Sequence, residues 1–112
     1  NQKHITTYFR KSFTLSDPAS YDHFEFNLLS DDGAVIYVNG LEVHRNNMPE
    51  GSLDYQTLAS SPIFQSEANM VKKKISPHFF TNETNVIAAE IHQFSPVSTD
   101  LCFDFKLVGI KK

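Results

Sequence analysis

Glu90, His92 and Asp104 are the side chains of this sequence best suited to acid–base or metal chemistry. Glu90 and His92 are two apart, so a strand places both on one face. Asp104 sits on the next predicted strand and could join them. The set lacks metal-ligand spacing, so a polar hydrogen-bond network on a sheet face is the favoured reading. Ser98-Thr99-Asp100 lies near His92 and invites a triad. Neither a nucleophile elbow nor a Gly-rich oxyanion loop accompanies it, so the chain is not expected to be an enzyme. Asp31 and Asp32 precede Gly33 and could bind Ca²⁺ together with Asn46, Asn47 or backbone oxygens. Calcium loops usually carry more carboxylates than this, so an Arg45–Asp32 salt bridge closing the sheet end is preferred. No cofactor is therefore expected, with Ca²⁺ at Asp31 and Asp32 as the alternative.

Binding is the more promising chemistry. Loops at the ends of a rigid β scaffold commonly form its binding rim. Two loops are candidates, residues 46–66 and 93–100. The predicted ligand-binding set is His92 and Gln93 where a strand ends, Asp100 where the chain returns, Arg45 at a nearby sheet end, and the loop aromatics Tyr55 and Phe94. Neutral imidazole both donates and accepts, which suits sugar hydroxyls. Tyr37 and Phe64 are further aromatic candidates, and the chain has no Trp to serve as a stacking surface. The competing reading of His92 is a cap that holds its loop through backbone groups. The other histidines, His4, His23, His44 and His78, are scattered. Lys72-Lys73-Lys74 reads as a lysine-guarded edge strand rather than an anion patch, because alternation splits the run between faces. Asn82-Glu83-Thr84 is an N-glycosylation sequon in a predicted turn.

The elements that must position these residues are strands. Residues 7–15 carry Phe9, Phe13 and Leu15 on one face, interrupted by Lys11. Phe24, Phe26 and Leu28 alternate in the next strand. Asn39-Gly40 predicts a two-residue type I′ hairpin, since both central residues need positive φ. That turn pairs Val38 with Leu41, Ile36 with Val43 and Ala34 with Arg45. Ala34, Ile36, Val38, Leu41 and Val43 then share one face, and Val35, Tyr37, Glu42 and His44 the other. Residues 70–75, 85–92 and 101–108 are further strands, the last with Leu101, Phe103, Phe105 and Leu107 inward. Ser76-Pro77-His78-Phe79-Phe80 reads as one helical turn with Ser76 as N-cap.

With 112 residues, ten Phe and four Tyr, the chain can bury one ordinary core. Seven or so strands with turns between them imply a single all-β sandwich or barrel over residues 1–112. Its start and its Lys111-Lys112 end suggest a module cut from a longer chain. The net charge of −3 argues against nucleic acid as the partner. No apolar run is long enough to span a bilayer. Cys102 is the only cysteine, so no internal disulfide is possible.

Five stretches stand in an order that resembles a known family. They are Thr7-Tyr8-Phe9-Arg10-Lys11-Ser12-Phe13, residues 31–40 ending in Val38-Asn39-Gly40, Arg45-Asn46-Asn47-Met48-Pro49, residues 84–93 around Asn85-Val86-Ile87-Ala88, and Asp100-Leu101-Cys102-Phe103-Asp104-Phe105. The chain resembles the galactose-binding-domain-like jelly rolls appended to secreted or surface multidomain proteins, which accompany phosphoesterases, glycoside hydrolases and adhesion repeats. The resemblance implies a jelly-roll β-sandwich, an extracellular or cell-surface setting and a non-catalytic accessory role. The expected function is a ligand-binding module, with carbohydrate as the ligand. The alternative is a structural or protein-interaction sandwich that packs against neighbouring domains of a parent protein.

Overall fold

The computed structural model describes residues 6–30, 33–54, 56–60, 71–93 and 103–112. Seven strands are described: β1 (Thr6–Leu15), β2 (Tyr21–Ser30), β3 (Gly33–Val38), β4 (Leu41–Asn46), β5 (Val71–Ile75), β6 (Glu83–His92) and β7 (Phe103–Lys111). They form two antiparallel sheets, one ordered β1-β6-β3-β4 and one ordered β5-β2-β7. The chain is an all-β, two-sheet sandwich. Two 3₁₀ turns, Pro18–Ser20 and Pro77–Phe79, add the only described helical geometry. Ser76 caps the second turn as expected, its hydroxyl accepting from the His78 N–H.

Strand alternation explains the main core. Phe24, Phe26 and Leu28 of β2 project from one sheet. Ala34, Ile36 and Val38 of β3, with Ala89 and Ile91 of β6, meet them from the other. Phe26 stacks on Phe105 with ring centroids 5.5 Å apart, and Phe24 packs on Phe80 at 4.2 Å. Each fully buried aliphatic or aromatic side chain contributes roughly 1.5–3 kcal/mol through removal from water.

The Asn39-Gly40 hairpin forms as its sequence requires, with φ of 51° and 84°. Asn39 also stitches elements together. Its Nδ2 donates to the Phe79 carbonyl and to Asn85 Oδ1, and its Oδ1 accepts from the Val86 N–H. Val38 pairs with Leu41 as expected, but the register slips beyond it. A β-bulge leaves Ile36 opposite His44, Val35 opposite Arg45 and Ala34 opposite Asn46. The bulge adds a residue to β4, so Val43 and His44 both meet the core, and His44 lies 5.5 Å from Phe26. Leu41, predicted inward, is 58% exposed.

The other face of the four-stranded sheet has its own small cluster. Val35, Met48 and Ala59 are buried together, with Tyr37 and Leu53 against them. Residues 47–54 and 56–60 therefore fold down onto this face. Gly33 permits the approach, since a Cβ there would collide with Met48 Sδ and stand 2.9 Å from Ala59 Cβ. Hydrogen bonds from Ala59 N–H to the Gln93 carbonyl and from Ser60 N–H to the Asn47 carbonyl, each 2.9 Å, fasten the segment.

Candidate functional site

The site is built on that outer sheet face, where the packed segment meets β1, β3 and β6. Tyr8 of β1 pairs across the ladder with Glu90 of β6, and Thr6 pairs with His92. Val35 of β3 sits opposite Glu90, and Tyr37 opposite Ala88. Alternation puts Thr6, Tyr8, Glu90, His92, Val35 and Tyr37 on the same side. Ala88 lies on this side too, between Arg10 of β1 and Tyr37 of β3.

Glu90 is the centre of a hydrogen-bonded array. The Tyr37 hydroxyl donates to its Oε2 at 2.7 Å, and His92 Nε2 lies 2.9 Å from its Oε1. His92 Nδ1 lies 2.6 Å from the Thr57 carbonyl and 3.0 Å from Thr6 Oγ1. A carbonyl can only accept, so Nδ1 carries the hydrogen that reaches the Thr57 carbonyl. The Tyr37 hydroxyl is pushed well above its ordinary range, chiefly by burial and then by its hydrogen bond to Glu90. It therefore remains a donor. Tyr8, 59% exposed, is also raised, by partial desolvation first and then by the charges of Glu90 and Asp54. The result is an exposed phenol ring across the ladder from a carboxylate whose two oxygens already have partners.

His92 is fully buried and performs the loop-holding role through the Thr57 carbonyl. It faces no solvent, so it positions Glu90 and the segment instead of touching a ligand. Gln93 is 5% exposed, and its Oε1 has no hydrogen-bond partner among the described residues. Arg45 is likewise an anchor. It makes a bidentate pair with Glu42, with Nη2 at 2.7 Å and Nε at 3.1 Å, and its Nη1 donates to the Pro49 and Gly51 carbonyls. Glu42 raises the Arg45 guanidinium further above its ordinary value. The expected Asp32 partner, along with Asp31, Tyr55, Phe94 and Asp100, lies outside the described residues. Asp104 does not join Glu90 and His92, because β7 belongs to the other sheet. Among the described residues no group of three His, Cys, Asp or Glu is placed to hold a metal ion. No described helix is long and apolar enough to cross a membrane.

A second concavity lies at the opposite end of the sandwich, between the two 3₁₀ turns. It is an open cleft of about 970 Å³ whose polar lining includes Asp17, Asp22, His78 and Asn82. Its Tyr21 ring is engaged, with Phe24 at 4.8 Å and the Lys111 ammonium at 4.3 Å. The cleft thus offers hydrogen bonds without an open aromatic face, whereas the sheet face offers both. Tyr8 is the residue that sequence reasoning missed. Its place opposite Glu90 depends on which strands pair, which alternation does not reveal. Comparison with protein-family models finds no match, and neither do comparisons with curated proteins and with solved structures.

Proposed function

We propose that the chain is a non-catalytic ligand-binding module of a larger secreted or surface protein, and that its ligand is a carbohydrate. The observation that carries this reading is the exposed Tyr8 ring beside the Tyr37–Glu90–His92 array. Sugars present an apolar C–H face and a rim of hydroxyls. An aromatic ring receives the first and an oriented carboxylate the second. Both Glu90 oxygens already have partners, which suits fixed recognition better than proton transfer. The two-sheet sandwich is also compatible with the galactose-binding-domain-like jelly rolls that the sequence motifs resemble. The reading calls for no cofactor.

A glycan array on the isolated chain tests it, with Tyr8→Ala and Glu90→Gln as variants. Loss of one stacking ring, at roughly 0.5–1.5 kcal/mol, weakens binding by up to about tenfold. Melting should stay unchanged in Tyr8→Ala. Absence of any bound glycan, or binding indifferent to both variants, overturns the proposal.

A further inference from the structure

We propose that the outer sheet face selects an acidic saccharide, with the Arg10 guanidinium receiving the carboxylate of a uronate residue. This inference rests on the carbohydrate reading and adds to it the charge of the ligand.

The position of Arg10 follows from register. β1 and β6 pair without a shift from Thr6 opposite His92 to Leu15 opposite Glu83. Tyr8 therefore faces Glu90, and Arg10, the next residue of β1 on that side, faces Ala88. Across β6, Ala88 faces Tyr37 of β3, and Glu90 faces Val35. Two neighbouring rows of side chains thus cross the outer face, Tyr8–Glu90–Val35 and Arg10–Ala88–Tyr37. The second row has a methyl group at its centre, a guanidinium on one flank and a phenol on the other. Arg10 lies roughly 6.5–7 Å along β1 from Tyr8, one repeat of the strand. A sugar ring set against Tyr8, with its exocyclic carboxylate directed along β1, meets that guanidinium.

The charges of the face choose the sign of the ligand. Glu42 and Arg45 neutralise each other through two hydrogen bonds. Asp54 Oδ1 accepts from the Gln56 N–H and from the Thr57 hydroxyl. Glu90 accepts from Tyr37 and lies against His92. Arg10 is exposed, and it joins none of the ion pairs among the described residues. The carboxylates of this face are committed to groups of the protein, and the Arg10 guanidinium is the charge left for a ligand. An amino sugar is the competing occupant, since the charges of Glu90 and Asp54 both act on the Tyr8 hydroxyl. Those two carboxylates are already hydrogen-bonded, and the Arg10 charge on the same face opposes a cation.

An exposed arginine is ordinarily a solvated side chain. Arg10 differs in its surroundings, a ring that is 59% exposed on one side and the Tyr37 row on the other. A guanidinium holds a carboxylate through two parallel hydrogen bonds, which fixes orientation as well as charge. Glu90 has lone pairs beyond the two in use, and these can accept from the hydroxyls of the same sugar.

Calorimetric titration of the chain with oligomers of galacturonate, glucuronate and mannuronate, each beside its carboxyl-reduced neutral form, tests the assignment. A glucosamine oligomer is the cationic control. At least one acid should bind about five- to tenfold more tightly than its neutral form, and added salt should narrow the gap. Arg10→Ala should remove the preference at an unchanged melting temperature. Arg10→Lys should restore only part of it, because an ammonium cannot make the two-pronged contact. Equal binding of acidic and neutral forms overturns the inference, as does a preference that survives Arg10→Ala. If those saccharides still weaken with Tyr8→Ala, the carbohydrate reading stands without it. Tightest binding of the glucosamine oligomer assigns the face to a cationic sugar, against the acid proposed. Binding of no saccharide, whatever its charge, overturns both.

Discussion

The two faces of the four-stranded sheet are built on different principles. The inner face is mainly apolar, with Ile36, Val38, Ala89 and Ile91 meeting Phe24, Phe26 and Leu28. The outer face buries only Val35, Met48 and Ala59 as an apolar cluster, beside a fully buried imidazole and a carboxylate at 19% exposure. Burying such a pair contributes little net stability compared with apolar packing of the same volume. What it does supply is direction, because each hydrogen bond fixes an angle as well as a distance. The inner face therefore holds the fold, and the outer face holds a geometry.

The largest effect should come from the inner face. Phe26→Ala removes a fully buried ring that packs on Phe105 and His44. A loss of about 3–5 kcal/mol is expected, read as a shifted denaturation midpoint at unchanged slope. A loss no larger than that of an exposed substitution would erase the contrast between the faces.

His92→Ala on the outer face comes next. It strands the Thr57 carbonyl and one Glu90 oxygen, and should cost about 1–3 kcal/mol. Its particular signature is local. The Ala59 and Ser60 amides, which fasten the segment to Gln93 and Asn47, should exchange faster with solvent than the core amides of β3. Uniform acceleration across the sheet would show that His92 serves the whole fold.

Gly40→Val probes the hairpin that joins β3 to β4. Nothing lies within 4 Å of a Cβ at Gly40, so the cost is conformational. At φ of 84° a β-branched residue should lose about 1–2 kcal/mol, measured by thermal melting. An unchanged melting temperature would contradict the type I′ assignment.

The smallest effects are those of pH. His44 is lowered, first by burial and then by the Lys73 charge, with Glu42 opposing. The unfolded chain takes up that proton more readily, so His44 makes stability fall as pH drops below about 6.5. His23 is raised, first by its hydrogen bond to Asp22 and then by Glu25, against Lys74. Its contribution is full below about pH 6.5 and disappears as pH rises through its raised value. His44→Phe should therefore flatten the acid side of the stability curve, and His23→Gln should steepen it. Identical profiles for the two variants would refute these opposite assignments.

Much of the inner face was legible in the sequence. Period-two alternation marked Phe24, Phe26, Leu28, Ile36 and Val38, and Asn39-Gly40 marked its own turn. The outer face was legible only in fragments. Glu90 and His92 announced a shared face, but alternation cannot say which strands become neighbours. Hence Tyr8 went unnoticed and Asp104 was grouped with a sheet it does not join. The bulge in β4 left no mark either, because Leu41 and Val43 keep a regular rhythm through it. The burial of His92 depends on the segment of Met48, Leu53, Thr57 and Ala59 folding back, a tertiary event that the polar composition around them concealed.

The most direct measurement is amide and side-chain NMR mapping while an oligosaccharide mixture is titrated into the chain. If the outer face is the binding site, resonances of Tyr8, Arg10, Ala88 and Glu90 shift with a common saturation curve, while Phe24, Phe26 and Leu28 do not move. Saturable shifts confined to Asp17, Asp22, His78 and Asn82 would place recognition in the cleft at the other end and contradict the assignment to the sheet face.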